Sequence, residues 1–159
     1  KVELPSKFDC VISLFHVVSY LLSNSEVLML FKNAFQHLNE NGLFVFDVWY
    51  SPCVNKLGPE TRTKKIRNNS LELIRVAEPV IYEDQNRVDV NYTVFSKVHT
   101  SNSWSMIKET HSMRHFSTPE IEMLARQTGF EIIHNEVCFS SAKPSGDTWG
   151  VCYILRKLQ

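Results

Sequence analysis

The 159-residue sequence is poor in glycine, and none of its five glycines belongs to a G-x-G pair. The loops that bring a backbone close to a phosphate or a dinucleotide need such pairs or the longer G-x-x-x-x-G-K-[ST] pattern. The nucleophile elbow of an α/β serine hydrolase needs G-x-S-x-G. Because none of these patterns occurs, the sequence does not support a P-loop nucleotide hydrolase or an α/β serine hydrolase.

The chain also lacks an excess of basic residues and a long apolar run. Lys+Arg and Asp+Glu both number 17, whereas nucleic-acid-binding proteins normally carry a basic excess. The one short basic candidate lies within residues 62–67. The longest apolar run, residues 11–22, is interrupted by polar side chains, so we expect no membrane span. We therefore expect neither a nucleic acid nor a membrane as a partner.

Cysteines are few and widely spaced. Cys10, Cys53, Cys138 and Cys152 form no C-x-x-C pair, which argues against a zinc knuckle or a dithiol redox motif. Cys10 and Cys152 lie in apolar runs, where a thiol behaves as a small buried hydrophobic group. Two buried thiols indicate a reducing compartment, and we expect the cytoplasm.

The first 50 residues follow a strand–helix–strand pattern. Residues 8–15 (FDCVISLF) form a continuous apolar run that predicts a strand covered on both faces. Ser23 and Glu26 have the spacing of a capping box, and apolar residues then recur with the helical period. Gly42 is expected to end the helix, and residues 43–49 (LFVFDVW) predict a second buried strand. This order is typical of half a doubly wound α/β fold.

The pattern changes after residue 50. Residues 51–65 predict a polar connection, and residues 71–82, 87–98 and 104–116 alternate polar with β-branched or apolar side chains. Residues 84–86 and 100–103 are the expected turns between them. This part of the chain therefore predicts an antiparallel meander with one face covered, inserted into the α/β order.

The α/β pattern resumes near residue 117. Ser117 and Glu120 have capping-box spacing, Thr118 is a candidate N-cap, and Pro119 occupies the first helical position. Gly129 is expected to close the helix, and residues 130–139 and 149–155 predict two strands joined by a polar loop. The predicted fold class is thus α/β, with core segments at residues 1–50 and 117–159 and the connection and meander at residues 51–116.

Three stretches of the sequence resemble the class I S-adenosylmethionine-dependent methyltransferases, whose seven-stranded Rossmann-like sheet ends in a reversed hairpin. Residues 8–21 (FDCVISLFHVVSYL) look like the family's fourth strand and the turn after it. Residues 31–49 look like the next helix and the fifth strand, and residues 113–133 like the late strand, the helix and the entry to the sixth strand. The meander after the fifth strand resembles methyltransferases that act on amino sugars and other small molecules.

The resemblance covers only the C-terminal half of that family. The glycine-rich cofactor loop and the acidic residue that holds the ribose hydroxyls belong to the earlier strands, and neither is present. The chain also opens on a buried-type strand after a short polar lead. We expect that an N-terminal half precedes it in the whole protein and that the chain alone is inactive. The alternative is a non-catalytic binding or scaffold protein.

The resemblance implies which residues face the S-adenosylmethionine cofactor. Leu14, Phe15 and His16 follow the first strand, and ligands of open α/β sheets bind at the carboxyl ends of strands. These three are therefore expected to line the methionine and ribose part of the cofactor. The alternative is that Phe15 is a core residue and that His16 is a cap. Tyr20, four residues after His16, is expected to orient the nucleophile and is our catalytic candidate, together with Arg114. The alternative for Tyr20 is a buried, hydrogen-bonded side chain.

Methyl transfer is an in-line displacement, so the protein mainly aligns the acceptor and, for some acceptors, removes a proton. Asp47, Trp49 and Tyr50 end the second strand and are expected to bind the acceptor, although packing against the meander is an equal alternative. His111 is a further acceptor-binding candidate, and we expect no metal at the His111-x-x-x-His115 spacing because it lies in a strand-like segment. Arg114 is expected either to bind an acidic group of the substrate or to brace the pocket, the alternative being a surface ion pair.

Together these features predict an enzyme that transfers a methyl group to a nitrogen or oxygen of a small molecule. The meander is expected to set acceptor choice, since insertions on a rigid scaffold often carry specificity. A sheet edge left open by a missing half is expected to make the isolated chain self-associate, and a homodimer is possible.

Overall fold

The computed structural model describes residues 4–101 and 103–159. These residues form two compact units, the first running up to Gly58 and resuming over Arg114–Gln159, the second covering Pro59–Met113. The predicted turn at residues 100–103 includes Asn102, which lies outside the described residues. No helix in the described part of the chain is long and apolar enough to cross a membrane.

The first unit is an α/β domain. Its elements are, in chain order, β1 (Phe8–Ser13), a 3-10 helix (Val17–Tyr20), α1 (Asn24–His37), β2 (Leu38–Tyr50), α2 (Ser51–Leu57), the last residues of β6 (Ser105–Phe116), α3 (Thr118–Gln127), β7 (Phe130–Val137) and β8 (Gly150–Lys157). Strand β2 lies parallel to β1 and antiparallel to β8, which pairs in turn with β7. The end of β6 runs parallel to the end of β2, with Trp49 opposite His115. The mixed sheet and its antiparallel terminal hairpin confirm the predicted fold class.

Aromatic side chains fill the core of this unit. Phe31 of α1 lies edge-on to Phe44 and Phe46 of β2, at centroid distances of 5.4 and 5.3 Å, and to Phe130 of β7 at 6.4 Å. All four rings are 0% exposed, as is Tyr153 of β8. The helical period of residues 27–38 therefore buries α1 against the sheet, as expected from its apolar stripe.

The predicted start of α1 is confirmed, and its predicted end is wrong. Ser23 accepts from the backbone N–H of Glu26 at 3.2 Å, and the Glu26 carboxylate accepts from the backbone N–H of Ser23 at 2.9 Å, so the capping box is formed. The helix ends at His37, and Gly42 lies inside β2. The register of β1 and β2 shifts between Phe8 and Cys10, and Asn41 adopts φ 61°. An irregular strand opening, with asparagine in the left-handed region, replaces the glycine cap.

The second unit is the antiparallel meander of β3 (Arg62–Arg67), β4 (Leu71–Tyr82), β5 (Arg87–Val98) and the first part of β6. Strands β4 and β5 have the predicted bounds and pair in register from Leu71 opposite Val98 to Tyr82 opposite Arg87. The prediction that residues 51–65 form a plain connection is wrong, because they contain α2 and most of β3. Pro52 in the first turn of α2 was the available helix signal. Strand β3 is exposed along its whole length, so it shows no apolar alternation.

Three other local predictions fail for physical reasons. Strand β1 pairs with β2 alone among the described strands, and Ile12 is 64% exposed, so β1 is not covered on both faces. Cys10 is likewise exposed. At α3, the N-cap residue is Ser117 and not Thr118, so Pro119 is the second helical position. Ser117 makes no side-chain cap bond, and Glu120 pairs with Arg114. Gly129, at φ 85°, follows the last turn of α3 as predicted.

Candidate functional site

The turn after β1 has a strained backbone. Phe15 and His16 adopt φ 65° and 60°, both in the left-handed region that non-glycine residues seldom enter. Two consecutive residues in this region cost free energy, and such strain persists only where the surroundings hold the backbone in place. The turn lies at the carboxyl end of a strand parallel to its neighbour, the usual place for ligands in open α/β sheets.

Two hydrogen bonds attach this turn to the end of β2. The backbone N–H of His16 donates to Oδ1 of Asp47 at 3.1 Å, and the backbone N–H of Trp49 donates to Oγ of Ser19 at 3.1 Å. Ser19 is 0% exposed and Asp47 2% exposed, so the accepting side chain of each bond is buried. These contacts hold the left-handed turn in position against its intrinsic preference.

The imidazole of His16 also contacts Asp47. Its Nδ1 lies 2.9 Å from Oδ2 of Asp47, a charge contact whose alignment falls short of a good hydrogen bond. Burial raises the pKa of Asp47, but the side chain and backbone N–H of His16 outweigh this effect and hold that pKa below its ordinary value of 3.8. Asp47 is therefore an ionised carboxylate in a nearly water-free position, with a histidine as its partner.

Two thiols complete the surroundings of Asp47. Sγ of Cys138 lies 3.8 Å from Oδ2 and donates to it, and Cys152 is opposite Asp47 in the β2–β8 register. Burial, reinforced by the Asp47 charge, raises the pKa of Cys138 to about 12, and the same two causes raise the pKa of Cys152. Both thiols therefore stay neutral at physiological pH, where a neutral thiol is a poor nucleophile.

Gly150, the first residue of β8, provides the space for the His16 ring. A Cβ at this position would lie 2.9 Å from Cε1 of His16 and 3.0 Å from Sγ of Cys138. Any larger residue would displace one of these two side chains. The sequence signals for Cys138 and Gly150 were weak, because neither residue belongs to a motif.

Aromatic residues line the same edge. The rings of Phe15 and Phe139 are 76% and 78% exposed and lie 6.1 Å apart between centroids. Trp49 lies edge-on to Trp149 at 5.9 Å. Large apolar rings this exposed provide a ready surface for an apolar or aromatic ligand group.

Tyrosines also lie near this edge, and they differ in their exposure to solvent. Tyr20 ends the 3-10 helix that begins just after His16 and is 48% exposed. The hydroxyl of Tyr50 lies 3.4 Å from that of Thr118, which lies 2.9 Å from the hydroxyl of the buried Tyr153. Burial raises the pKa of Tyr153 to about 12, so the Tyr153 hydroxyl stays protonated at physiological pH. Leu14 is half-buried at the start of the turn.

Arg114 joins three elements of the first unit. From the end of β6 it donates to the carbonyl of Leu22 at 3.2 Å, to Oδ1 of Asn24 at 2.7 Å and to Oε1 of Glu120 at 2.5 Å. Its guanidinium also covers the Phe116 ring at 4.9 Å, and the residue is 8% exposed. Arg114 is thus a buried brace between the entry to α1 and the first turn of α3, rather than a surface ion pair.

His115 and His111 have different surroundings. His115 is 1% exposed, its Nδ1 lies 2.8 Å from Oγ of Ser51, and burial and then the Arg114 charge lower its pKa. His111 belongs to the second unit, where its ring lies edge-on to Tyr92 at 5.2 Å and Nε2 lies 3.4 Å from Glu109. No group of three or more metal-ligating side chains is assembled within the described ranges.

In the first unit, then, the carboxyl ends of β1 and β2 bring together the cofactor candidates Leu14, Phe15 and His16 and the acceptor candidates Asp47, Trp49 and Tyr50. In open α/β sheets, the carboxyl ends of the strands are the usual place where small molecules bind. A sequence model described as a methyltransferase domain matches residues 3–135, most of the chain. The chain belongs to this family, the class I S-adenosylmethionine-dependent methyltransferases.

Known proteins agree with this assignment. The "Putative methyltransferase YqeM" of Bacillus subtilis (strain 168) is 22% identical over 142 residues, which cover 89% of this chain. The structure of an S-adenosylmethionine-dependent methyltransferase from Clostridium acetobutylicum ATCC 824 matches 100% of the chain with a TM-score of 0.81 and 18% identity. CalS10, an amino pentose methyltransferase from Micromonospora echinaspora, matches 99% with a TM-score of 0.79 and 15% identity. At such identities the two structures show a shared fold.

The matched proteins are longer than this chain. The chain spans 56% of the length of the Bacillus protein and 62% and 61% of the two solved structures. It therefore corresponds to little more than half of each of these relatives.

Proposed function

We propose that the protein transfers a methyl group from S-adenosylmethionine to a nitrogen or oxygen of a small molecule. The observation that carries this proposal is the left-handed Phe15–His16 turn, held against the buried carboxylate of Asp47 at the carboxyl ends of two parallel strands. Membership in a methyltransferase family supplies the reaction class.

The residues present fit one side of the cofactor. Phe15 leaves three quarters of its surface uncovered, so its ring is free to meet an adenosyl or methionyl group, and the turn offers the backbone of Leu14 and His16 beside it. When bound, S-adenosylmethionine supplies a methyl group on a positively charged sulfur. A glycine-rich loop for the other side of the cofactor is not part of this sequence. We therefore expect the chain alone to bind the cofactor weakly, and a longer gene product that also carries such a loop to bind it well.

Residues on the acceptor side are assigned by their accessibility. Tyr20 is half-exposed next to the strained turn and is proposed to orient the nucleophile through its hydroxyl. Trp49 and Tyr50 are proposed to wall the acceptor, and His111 stays a prediction as an acceptor contact. Since the guanidinium of Arg114 is occupied by three protein groups, its contacts favour the bracing role and make it a positioning residue.

An amine-bearing small molecule, such as an amino sugar, is the proposed acceptor class. Relatives with the same fold include the amino pentose methyltransferase CalS10 and the sugar N-methyltransferase KedS8 from Streptoalloteichus sp ATCC 53650.

A cytoplasmic location remains the prediction for a protein whose four cysteines are unpaired. Self-association of the isolated chain through the unpaired side of β1 is likewise proposed, and size-exclusion chromatography tests it.

Calorimetry with S-adenosylmethionine, on the chain and on the full-length gene product, tests the cofactor assignment. We expect binding by the gene product and little by the chain. Tight binding by the chain alone would overturn the proposal that the cofactor needs contacts from both this chain and a glycine-rich loop outside it. Absence of binding by both would favour the alternative of a non-catalytic binding or scaffold protein.

Kinetics of the full-length gene product test the acceptor side. Tyr20→Phe and Arg114→Ala should lower the methyl-transfer rate or raise the acceptor KM, while cofactor affinity changes by less than about 1 kcal/mol, the scale of one ordinary hydrogen bond. Loss of cofactor binding with unchanged acceptor kinetics would show that the two sides of the site are assigned the wrong way round.

A further inference from the structure

The contact between His16 and Asp47 leaves one imidazole nitrogen available. Nδ1 is buried and faces the ionised carboxylate of Asp47 at 2.9 Å. A negative charge at this distance favours the tautomer that carries the proton on Nδ1, and in that tautomer the lone pair is on Nε2. Nε2 has no hydrogen-bond partner among the described residues, and the His16 side chain is 33% exposed. The imidazole is thus oriented as a proton acceptor at the surface of the candidate site.

Other groups of the site are less suited to accept a proton. The thiol of Cys138, with its pKa raised to about 12, stays protonated and donates to Asp47. The Asp47 carboxylate is 2% exposed and already accepts from the backbone N–H of His16 and from Sγ of Cys138. Arg114 carries no lone pair for this purpose. Among these side chains, only His16 combines a free basic nitrogen with access to solvent.

The backbone and the packing both favour this orientation. His16 adopts its left-handed conformation while its own N–H donates to Oδ1 of Asp47, so one carboxylate holds both the backbone and the ring of the same residue. Because Gly150 has no side chain, the His16 ring can lie beside it. A Cβ on Gly150 would be only 2.9 Å from Cε1 of His16. Strain maintained in this way at a ligand-facing turn is typical of functional sites.

We propose that His16 is the general base that deprotonates the methyl acceptor, and that Asp47 and Gly150 are positioning residues for its imidazole. This inference rests on the proposed methyl-transfer function. Nε2 takes a proton from the acceptor ammonium or hydroxyl and His16 becomes an imidazolium, stabilised by Asp47. The freed lone pair of the acceptor then forms the new bond to the methyl carbon, and the carbon–sulfur bond breaks with its electron pair going to sulfur. The proton leaves Nε2 to solvent.

The groups that act on this pair come from three elements. Asp47 of β2 bears the negative charge, Cys138 after β7 and Cys152 of β8 are neutral thiols, and Glu136 of β7 adds a charge beside Cys152. The imidazole of His16 and the carboxylate of Asp47 lie 2.9 Å apart, so the pair is expected to function as a unit.

The pH dependence of methyl transfer by the full-length gene product tests the proposal, with glucosamine and its nucleotide-linked forms as amine probes. With His16 as the base, the rate should reach its plateau below the pH at which the free amine loses its proton. At pH values below the pKa of the amine, His16→Gln should lower the methyl-transfer rate and move the acid limb up to the pKa of the amine itself, while the rate well above that pKa stays close to that of the wild type. Asp47→Asn should lower kcat by a smaller factor with little change in KM. His134→Gln, at an exposed histidine of the same unit, should leave the profile unchanged.

A second measurement needs no cofactor and no activity. The carboxyl carbon of Asp47 can be titrated by NMR in the 159-residue chain, where its pKa should lie below 3.8. His16→Gln should raise it, because burial remains while the stabilising contacts with the imidazole are lost. An Asp47 titration unaffected by His16→Gln would overturn the pairing. Methyl transfer with an unchanged profile in His16→Gln would overturn the base assignment alone. A wild-type gene product that methylates neither amine nor hydroxyl probes would overturn the proposed function, and the base assignment with it.

Discussion

The two units of the molecule are built on different principles. In the first unit, rings from helix and sheet meet in a closed aromatic cluster, with Phe31, Phe44, Phe46 and Phe130 all 0% exposed. In the second unit the buried residues are Ala77, Val88, Val90 and Met113, and the remaining strand residues are half-buried or exposed. The first unit therefore holds most of the apolar surface that stabilises folding, and it is this unit that supports a strained turn.

The strongest test of this comparison removes one aromatic ring from each unit. Phe31→Ala should lower the free energy of unfolding by about 3–5 kcal/mol, because the ring leaves a cavity among three others. Phe95→Ala, at a half-buried position opposite Ile74 in the meander, should cost less than about 2 kcal/mol. Urea denaturation followed by circular dichroism measures both. Equal costs would show that the meander has a core of comparable density.

The second largest loss of folding free energy is expected when the Arg114 side chain is removed. Arg114→Ala removes three hydrogen bonds and leaves Glu120, 15% exposed, without its partner, so we expect a loss of about 3 kcal/mol. The matched control is Arg156→Ala. Its ion pair with Glu131 has a similar length of 2.6 Å, but the side chains are 47% and 42% exposed, so the loss should stay below about 1 kcal/mol. If Arg114→Ala lowers the free energy of unfolding no more than Arg156→Ala does, Arg114 is not a brace.

A single methyl group tests the packing of the site. Gly150→Ala places a Cβ 2.9 Å from the His16 ring and should destabilise by about 1–3 kcal/mol through overpacking. Gly146→Ala is the control, since its Cβ would meet only Lys56, at 3.4 Å, and should be nearly neutral. Thermal unfolding of both variants, with NMR shifts of His16, measures the difference. Unchanged NMR shifts of His16 in Gly150→Ala would show that the ring is not tightly packed against residue 150.

The smallest expected effect concerns the buried His115. Burial, followed by the Arg114 charge, lowers its pKa from the ordinary 6.5. Below 6.5 the unfolded chain binds a proton that the folded chain does not, so this residue makes stability fall as pH decreases toward the folded pKa. His115→Gln should make the free energy of unfolding less dependent on pH between about pH 7 and 5. Urea titrations at several pH values check this, and a slope equal to that of the wild type would contradict it.

Elements with strong local signals were predictable. The capping box at Ser23 and Glu26 and the bounds of β4 and β5 follow from residue type and period alone. Helix α2 and strand β3 were missed, because neither short helices nor fully exposed strands create an apolar period. The end of α1 was misplaced at Gly42, because Leu38 already pairs with Phe8 of β1 and the strand therefore begins before the glycine.

The candidate site likewise contains residues that the sequence predicted and contacts that it did not. His16 and Asp47 were each singled out from their positions at strand ends, and the resemblance of residues 8–21 and 31–49 pointed to a methyltransferase. Their mutual contact was not visible, because 31 residues separate them and only the parallel pairing of β1 with β2 aligns the two strand ends. Gly150 and Cys138 enter the site from the terminal hairpin, which carries no chemical motif of its own.

The sequence by itself determined the family and the α/β order with its inserted meander, because both depend on periodicity and on short sequence motifs that can be read without knowing which residues they contact. Tertiary structure alone decided which side chains became partners. It buried Asp47 against His16, occupied Arg114 with Glu120 and Asn24, and left Phe15 exposed. The physical reason is that burial and charge pairing depend on distances between residues far apart in the chain, and the register of the sheet sets those distances.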